Sequence, residues 1–243
     1  VVTEDGREYS APVVVCNLAP RDTLPLLDES ALPTDWVERV RSVRGSGNAH
    51  QIKFALRRPL IEEGCLIAGV SLSGHTLADL SLDLMRDTVT AIDAGRVSDP
   101  MAIYAPVPTN YDASLGPDGK QLVVASIYGP LRSDPADPPE VWRERVLAAF
   151  ASILPGFWQE LEWVEWTSVP DVGLWMGKSN NAAISNGQWP GQVGADRLPV
   201  VTPVPGLFFA GDGAGGRGIG TELATVSGME AVASIEALSS GRR

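Results

Sequence analysis

The sequence predicts an α/β plus α+β protein in two parts: the two ends of the chain form one α/β part, and a mixed sheet with helices is inserted between them. Two observations at the ends support this prediction. A strand-like apolar run occupies residues 13–16, and a second one at 206–210 leads into a glycine cluster and a helix-like segment. The third observation is that strand and helix patterns alternate at irregular spacing between the two ends.

Composition and charge exclude several classes of function. The 243 residues are 44% hydrophobic, which is enough for a sizeable core. The formal net charge of −11 and the lack of a basic run argue against nucleic acid and against an anionic membrane surface. No signal peptide or membrane-spanning run of about 18 apolar residues is present. The two cysteines, Cys16 and Cys65, fit a reducing, cytoplasmic compartment rather than a disulfide framework.

The elements near the start of the chain follow from short-range signals. Asp5-Gly6 is a two-residue hairpin signal between 1–3 and 7–9, and 13–16 reads as a buried strand. Residues 33–43 have the apolar spacing of a short helix, ended by the glycines at 45 and 47.

The middle of the chain supplies the inserted sheet. Strand patterns are predicted at 50–56, 65–70, 101–107, 121–128 and 160–169. Helices are predicted at 76–94 and 138–154. The second has a face of Val141, Arg145, Ala148 and Ile153, with Val146, Leu147 and Phe150 beside it. Residues 170–198, rich in Gly, Asn and Trp, read as a long ordered loop that lines a site.

The glycine cluster matches a dinucleotide fingerprint only in part. Residues 211–216 and 213–218 both fit G-x-G-x-x-G. A complete fingerprint lies in a βαβ unit of about 30 residues whose second strand ends in an acidic residue. Only residues 239–243 follow the helix-like segment, so we expect no self-contained NAD site and read the cluster as a cofactor-binding turn.

Several stretches together resemble one enzyme family. The tail from Pro205 through Gly211-Asp212 and Gly218-Ile219-Gly220 to Ser227-Gly228 resembles the C-terminal flavin-binding segment of FAD-dependent oxidoreductases of the phytoene-desaturase and flavin amine oxidase superfamily. The stretch 11–20 looks like the strand and turn that re-enter that family's FAD domain, and 94–120 is similar to its phytoene-dehydrogenase-like branch. The resemblance covers nearly the whole chain, and the C-terminal half of the family.

This resemblance implies a fold, a cofactor and a set of contacts. It implies the C-terminal part of a Rossmann-like FAD-binding domain at 1–22 and 199–243, with a mixed-sheet substrate-binding domain at 23–198. Asp212 would accept a hydrogen bond from a ribityl hydroxyl or lie beside the pyrophosphate. The positive end of the helix that starts near residue 220 would face the flavin's pyrimidine edge. The implied cofactor contacts are Gly211, Asp212, Gly213, Gly218, Ile219, Gly220 and Thr221.

The resemblance also implies a partner and a reaction. The family's N-terminal strand and fingerprint have no counterpart here, so we expect a second polypeptide that carries the adenine-binding half of the FAD site. The expected reaction is hydride transfer from a C–H bond of a largely apolar small molecule to flavin N5, as in a dehydrogenase or desaturase. Two alternatives stay open: an amine or amino-acid oxidase of the same superfamily, and a non-catalytic partner subunit.

Residues for substrate binding and catalysis are less well defined by the sequence. Trp175, Trp189 and Lys53 are candidates for the substrate pocket, although core packing or a solvated strand face would explain them equally. His50 and His75, the only histidines, are too few for a metal cluster or a histidine-based triad. No metal site is expected and the catalytic residues are unknown, since a bound flavin needs no strong acid or base from the protein.

Overall fold

The computed structural model describes residues 1–132 and 134–240, which form two compact units. Unit 1 contains Val1–Ser46 together with the chain from Gly177 onward, and unit 2 contains Gly47–Met176. The chain therefore passes from unit 1 to unit 2 after Ser46 and returns to unit 1 at Gly177, whereas the expected domain boundaries lie after residues 22 and 198. The reason lies in unit 1, where Leu198 packs in one apolar cluster with Val37 and Val40.

Unit 1 contains a two-stranded parallel sheet. The strand β1, Val14–Cys16, pairs with β7, Leu207–Phe209, with Val15 opposite Phe208. Because parallel strands run in the same direction, both end at one edge of the sheet. The helices of this unit are α1 (Pro20–Thr23), α2 (Thr34–Ser42) and α7 (Thr221–Ser240).

The predicted hairpin at the start of the chain is present as a tight turn. Gly6 adopts a φ of 80°, and the Thr3 amide donates to the Arg7 carbonyl over 2.9 Å. Backbone hydrogen bonds between Val1 and Tyr9 also join the two arms, but the arms share a single isolated bridge and are too short to form strands. The strand β1 that follows is only partly buried, because Val15 is half exposed.

Unit 2 contains a five-stranded antiparallel sheet covered by helices. The strands are β2 (Asn48–Leu56), β3 (Cys65–Val70), β4 (Met101–Pro106), β5 (Gln121–Gly129) and β6 (Leu161–Thr167), and they lie in the order β3-β4-β5-β2-β6. Alternating residues of the interior strand β2 are buried, and Phe54 meets the rings of Phe150 and Phe157 edge-on. The helices are α3 (Leu82–Asp93), α4 (Pro139–Ile153), α5 (Phe157–Glu160) and α6 (Val169–Trp175).

Together the two units make a mixed α/β protein with parallel and antiparallel sheets, as the sequence predicts. No helix among the described residues has the length and apolar character needed to cross a membrane.

The prediction for α3 was wrong at its start. The helix begins at Leu82 rather than near residue 76, because the Ser81 side chain accepts a hydrogen bond from the Leu84 amide and caps it there. The preceding residues Leu77–Asp79 form a separate 3-10 turn.

Two further predictions in unit 2 were wrong in part. The buried face of α4 contains Trp142 together with Val146, Leu147 and Phe150, which were expected beside the predicted face, while Arg145 is exposed. Residues 170–175 belong to the helix α6 instead of a loop. Its capping box joins Ser168 and Asp171, and a proline in the first turn is compatible with a helix start.

His50 lies inside unit 2 and is almost fully buried at 2% exposure. Its ring packs against Trp142 and Trp166, and Nδ1 accepts a hydrogen bond from the Val169 amide over 3.2 Å. Burial lowers the pKa of His50 to about 4, and the nearby charge of Asp171 only partly opposes this shift. The imidazole is therefore neutral at pH 7 and belongs to the core.

This burial predicts a pH dependence of stability. The folded pKa is depressed, so the unfolded chain binds a proton first as the pH falls below 6.5, and stability is lost progressively toward pH 4. The loss over that range is about 3 kcal/mol. His50→Asn keeps an acceptor for the Val169 amide and should remove this contribution, as measured by urea unfolding at several pH values. The matched variant His75→Asn, at an exposed histidine, should keep the wild-type dependence; equal pH profiles for wild type and His50→Asn would contradict the account.

Candidate functional site

The candidate site begins where β1 and β7 end together. Asn17 follows β1, Gly211 and Asp212 follow β7, and the Ala210 amide donates to the Cys16 carbonyl over 3.0 Å. Gly211 has a φ of 125°, and a Cβ there would lie 2.5 Å from Asn17 Oδ1. Only glycine fits this crossing of the two chain segments. Ligands commonly bind at the carboxyl ends of parallel strands.

A buried serine connects the strand end to α7. Ser227 is fully buried, and its Oγ accepts from the Gly211 amide over 2.8 Å. The same hydroxyl lies 2.8 Å from the Gly211 carbonyl and 3.0 Å from that of Ala224, to either of which it can donate. Because the Gly211 amide is used in this way, its contribution to the site is to fix the helix against the strand.

Asp212 is held by two residues from an earlier segment. Its Oδ2 accepts from Lys178 Nζ over 2.7 Å and from the Ser185 amide over 3.1 Å, and its Oδ1 accepts from Ser185 Oγ over 2.8 Å. Lys178 Nζ also donates to the Ala183 carbonyl. These contacts use three of the roughly four acceptor positions of a carboxylate. One position therefore remains for a ligand hydroxyl.

The same contacts set the charge state of Asp212. Burial alone would raise the pKa of its carboxyl group, but the hydrogen bonds from Lys178 and Ser185 and the lysine charge outweigh burial and hold the pKa below 3.8. Asp212 is therefore ionised at neutral pH and paired with Lys178, whose side chain is only 10% exposed.

The glycine turn is clamped by a buried arginine and a glutamate. Arg197, only 5% exposed, donates from its guanidinium to the Gly215 carbonyl over 3.4 Å and to the Gly218 carbonyl over 3.2 Å. The Glu230 carboxylate of α7 accepts from the Gly216 amide over 3.1 Å. Sequence reasoning did not single out Arg197, Glu230, Lys178 or Ser185 as site residues, because their partners are 14 to 34 residues away along the chain.

Three amides at the start of α7 are free. The N–H groups of Gly218, Ile219 and Gly220 donate to no other described residue, whereas the Gly220 carbonyl accepts the first helical bond from Ala224. Gly220 has a φ of 57°, and a Cβ there would approach only Ile184, at 3.7 Å. The space over the helix start is thus open, and its unpaired donors and helix dipole favour an electron-rich ligand.

The predicted site residues fall into two groups. Gly218, Ile219, Gly220 and Thr221 lie at the start of α7, and Asp212 lies after β7, where Lys178 and Ser185 hold it. Gly213 instead packs against Pro20, since a Cβ there would lie 2.3 Å from the proline Cδ. Its small size is explained by packing.

The structure gives each of the three candidates for the substrate pocket its own local contacts. Trp175 is 88% exposed at the end of α6, and Lys53 forms an ion pair with Glu165 across neighbouring strands of unit 2. Trp189 belongs to unit 1, where its ring lies 4.1 Å from the Arg44 guanidinium and its Nε1 donates to the Gly45 carbonyl. Each of the three side chains therefore has a separate environment. Among the described residues, no group of three or more metal-ligating side chains is placed to hold an ion.

A family model of flavin-containing amine oxidoreductases matches residues 1–235 of the chain. The chain belongs to this family. The cofactor of the flavin-containing amine oxidoreductases is FAD. No curated protein matches the sequence.

Two solved structures align with nearly the whole chain, and the first of them shows the same kind of fold. An oxidoreductase from Methanosarcina mazei aligns with a TM-score of 0.52 at 18% identity, covering 97% of this chain and 45% of its own. A protein from Pyrococcus furiosus aligns with a TM-score of 0.48 at 18% identity, covering 97% of this chain and 43% of its own. The chain thus spans less than half the length of either structure.

The residues at the start of α7 fit the cofactor of this flavin family. They present three unpaired amide donors, a surface that a Cβ at Gly220 would begin to fill, and one free acceptor position on Asp212. This donor set suits an electron-rich ring edge and a polyhydroxyl chain, which are the groups that a flavin with its ribityl arm presents.

The clamp on the glycine turn predicts that Arg197 stabilises unit 1. Arg197→Met leaves the carbonyls of Gly215 and Gly218 without their charged donor, so the free energy of unfolding should fall by about 3 kcal/mol. The measurement is urea unfolding followed by tryptophan fluorescence. Arg217→Met is the control, because that arginine lies in the same turn with a 79% exposed side chain and should change stability by less than about 0.5 kcal/mol. Equal losses in the two variants would refute the clamp.

Proposed function

We propose that this chain supplies the flavin-facing half of the FAD site of an oxidoreductase that removes hydride from a C–H bond of a largely apolar substrate. The open amides of Gly218, Ile219 and Gly220 are the observation that carries this proposal. When bound, FAD supplies the hydride acceptor at its N5 position. In this proposal, the chain ends outside unit 2 form the C-terminal part of a Rossmann-like domain, and unit 2 binds the substrate.

The residues of the turn would stabilise the negative charge that accumulates on the flavin's pyrimidine edge. Amides and the positive end of α7 favour such charge by about 0.3–1 kcal/mol, and by more where water is excluded. Asp212 would accept a hydrogen bond from a ribityl hydroxyl at its free acceptor position, while Lys178 and Ser185 fix the direction of its carboxylate. Arg197 and Glu230 would keep the turn in place without touching the cofactor.

The ionisable groups near the turn are already paired. Lys178 and Asp212 neutralise each other, and Glu230 accepts a hydrogen bond from the Gly216 amide. Around the turn, the described residues thus offer no free base, so the proton that a dehydrogenase or desaturase removes beside the hydride would pass to water or to a base away from the turn.

An amine or amino-acid oxidase is the second candidate, because the family model describes amine oxidoreductases. Such an enzyme would use aromatic rings beside the flavin, but the ring of Trp189 already stacks on Arg44. Hydrogen peroxide and ammonia among the products would favour this candidate over the dehydrogenase.

The adenine-binding half of the site is proposed to come from a second polypeptide, encoded separately or produced by cleavage. One fact supports this: the parallel sheet among the described residues has only two strands, fewer than a complete Rossmann-like domain contains. Tight FAD binding by this chain alone would contradict it. A cytoplasmic location is also proposed, supported by Cys16 and Cys65, neither of which is in a disulfide.

The central test replaces Gly220 by valine in the complete FAD-containing protein. A β-branched side chain at a φ of 57° is strained and would project into the open space over the amides. We expect loss of bound FAD and of activity. The control is Gly6→Val, at another open glycine with a φ of 80° in the N-terminal hairpin, which should keep both. If Gly220→Val kept FAD and activity, the proposal would be contradicted, and the chain would be better described as a non-catalytic subunit.

A further inference from the structure

A groove with a cavity volume of about 420 Å³ lies in unit 2 between α3 and the strands β3, β4 and β5. Leu84, Met85 and Val89 of α3 line one side together with Leu80, which precedes the helix, and Gly69 and Ala102 form the floor on β3 and β4. This volume lies within the range of about 300–1,000 Å³ that is usual for small-molecule sites.

The lining of this cavity is uncharged. None of its residues is Asp, Glu, Lys or Arg, although such residues make up 20% of the chain. A charged ligand would lose hydration there without gaining an ionic partner. The groove therefore selects a ligand without charge.

Gly69 is a position where the fold itself does not require glycine. Its φ is not in the left-handed region, and a Cβ there would meet nothing within 4 Å. Gly69 pairs with Ala102 on the neighbouring strand, so two of the smallest residues stand side by side on the floor. Glycine inside a strand lowers stability, and it often marks a position that a ligand approaches closely.

The opposite wall of the groove exposes apolar side chains. Leu80, Met85 and Val89 are each more than half exposed, although all three line the cavity. An apolar ligand would cover part of this surface.

Polar groups stand at one end of the groove, in the loop after β3. Ser71, His75 and Thr76 line the cavity there, and the His75 imidazole forms no hydrogen bond with another described residue. An imidazole can donate to or accept from one hydroxyl, carbonyl or amine of a ligand.

We propose that this groove binds an uncharged, largely apolar small molecule with a single hydrogen-bonding group at the His75 end. At about 30 Å³ for each non-hydrogen atom, the volume of a water molecule, the cavity encloses on the order of 14 such atoms. The identification of this ligand as the substrate of the flavin reaction rests on the proposed function. The binding of the ligand to the groove is independent of that function.

The test is isothermal titration calorimetry of the complete protein with diphenylamine, an uncharged aromatic probe that carries one N–H group and is small enough for this cavity volume. Saturable binding to the wild type is expected, and Gly69→Leu should weaken it by at least about tenfold, because the new side chain fills the cavity. Ile67→Phe is the matched control: this residue lies on the same strand and the same face but does not line the groove, so its affinity should stay within about twofold.

Ala102→Leu gives a second way to fill the floor, from the neighbouring strand, and should weaken probe binding in the same direction. Lack of saturable binding to the wild type, as when another chain covers the groove, would overturn the proposal. So would an unchanged affinity in Gly69→Leu and Ala102→Leu, or an equal loss in the control.

The outcomes separate this proposal from the proposed function. Gly69→Leu should keep the visible absorbance of bound flavin while losing the probe, and Gly220→Val should lose the flavin while keeping the probe. Flavin bound without probe binding would refute the groove alone. Probe binding in a protein that holds no flavin would refute the proposed function alone.

Discussion

The hydrogen bonds of the buried Ser227 are the contact on which the site depends. They join the helix α7 to Gly211 at the end of β7, and β7 in turn pairs in parallel with β1. A fixed strand end and a fixed helix start leave the intervening turn little freedom. The turn can therefore present free amides at Gly218, Ile219 and Gly220 instead of satisfying them internally, as an unconstrained loop would.

Stability and function are divided among the glycines of this turn. The Gly211 amide is used by Ser227, Gly213 makes room for Pro20, and the Gly215 carbonyl is held by Arg197. Gly220, in contrast, faces open space and begins the helix. A glycine-rich segment has no side chains to hold it in place. The buried Arg197 and the ion-paired Asp212 supply the missing interactions, so the turn stays ordered while its open edge can bind a flavin.

The sequence predicts the parts of this protein whose signals are local. The strand Cys65–Val70 agrees residue for residue, and the glycine-rich tail indicates the family that the chain belongs to. It does not predict contacts that depend on the tertiary fold. The clamp by Arg197 is one example, and the pairing of Gly69 with Ala102 is another, because strand register brings them together. Two caps explain the wrong helix predictions. The cap by Ser81 starts α3 later than its apolar spacing suggests, and the cap by Ser168 starts α6 in a segment where Pro170 suggests a loop.

The most direct measurement of the central claim is amide hydrogen exchange of the complete protein with and without FAD, resolved over residues 211–225. The account predicts that FAD slows exchange at Gly218, Ile219 and Gly220, whose amides are free in the chain itself. The Gly211 amide, already bonded to Ser227, should change far less. Equal exchange at Gly218, Ile219 and Gly220 in the two states, with FAD bound, would contradict the claim that these amides receive the flavin.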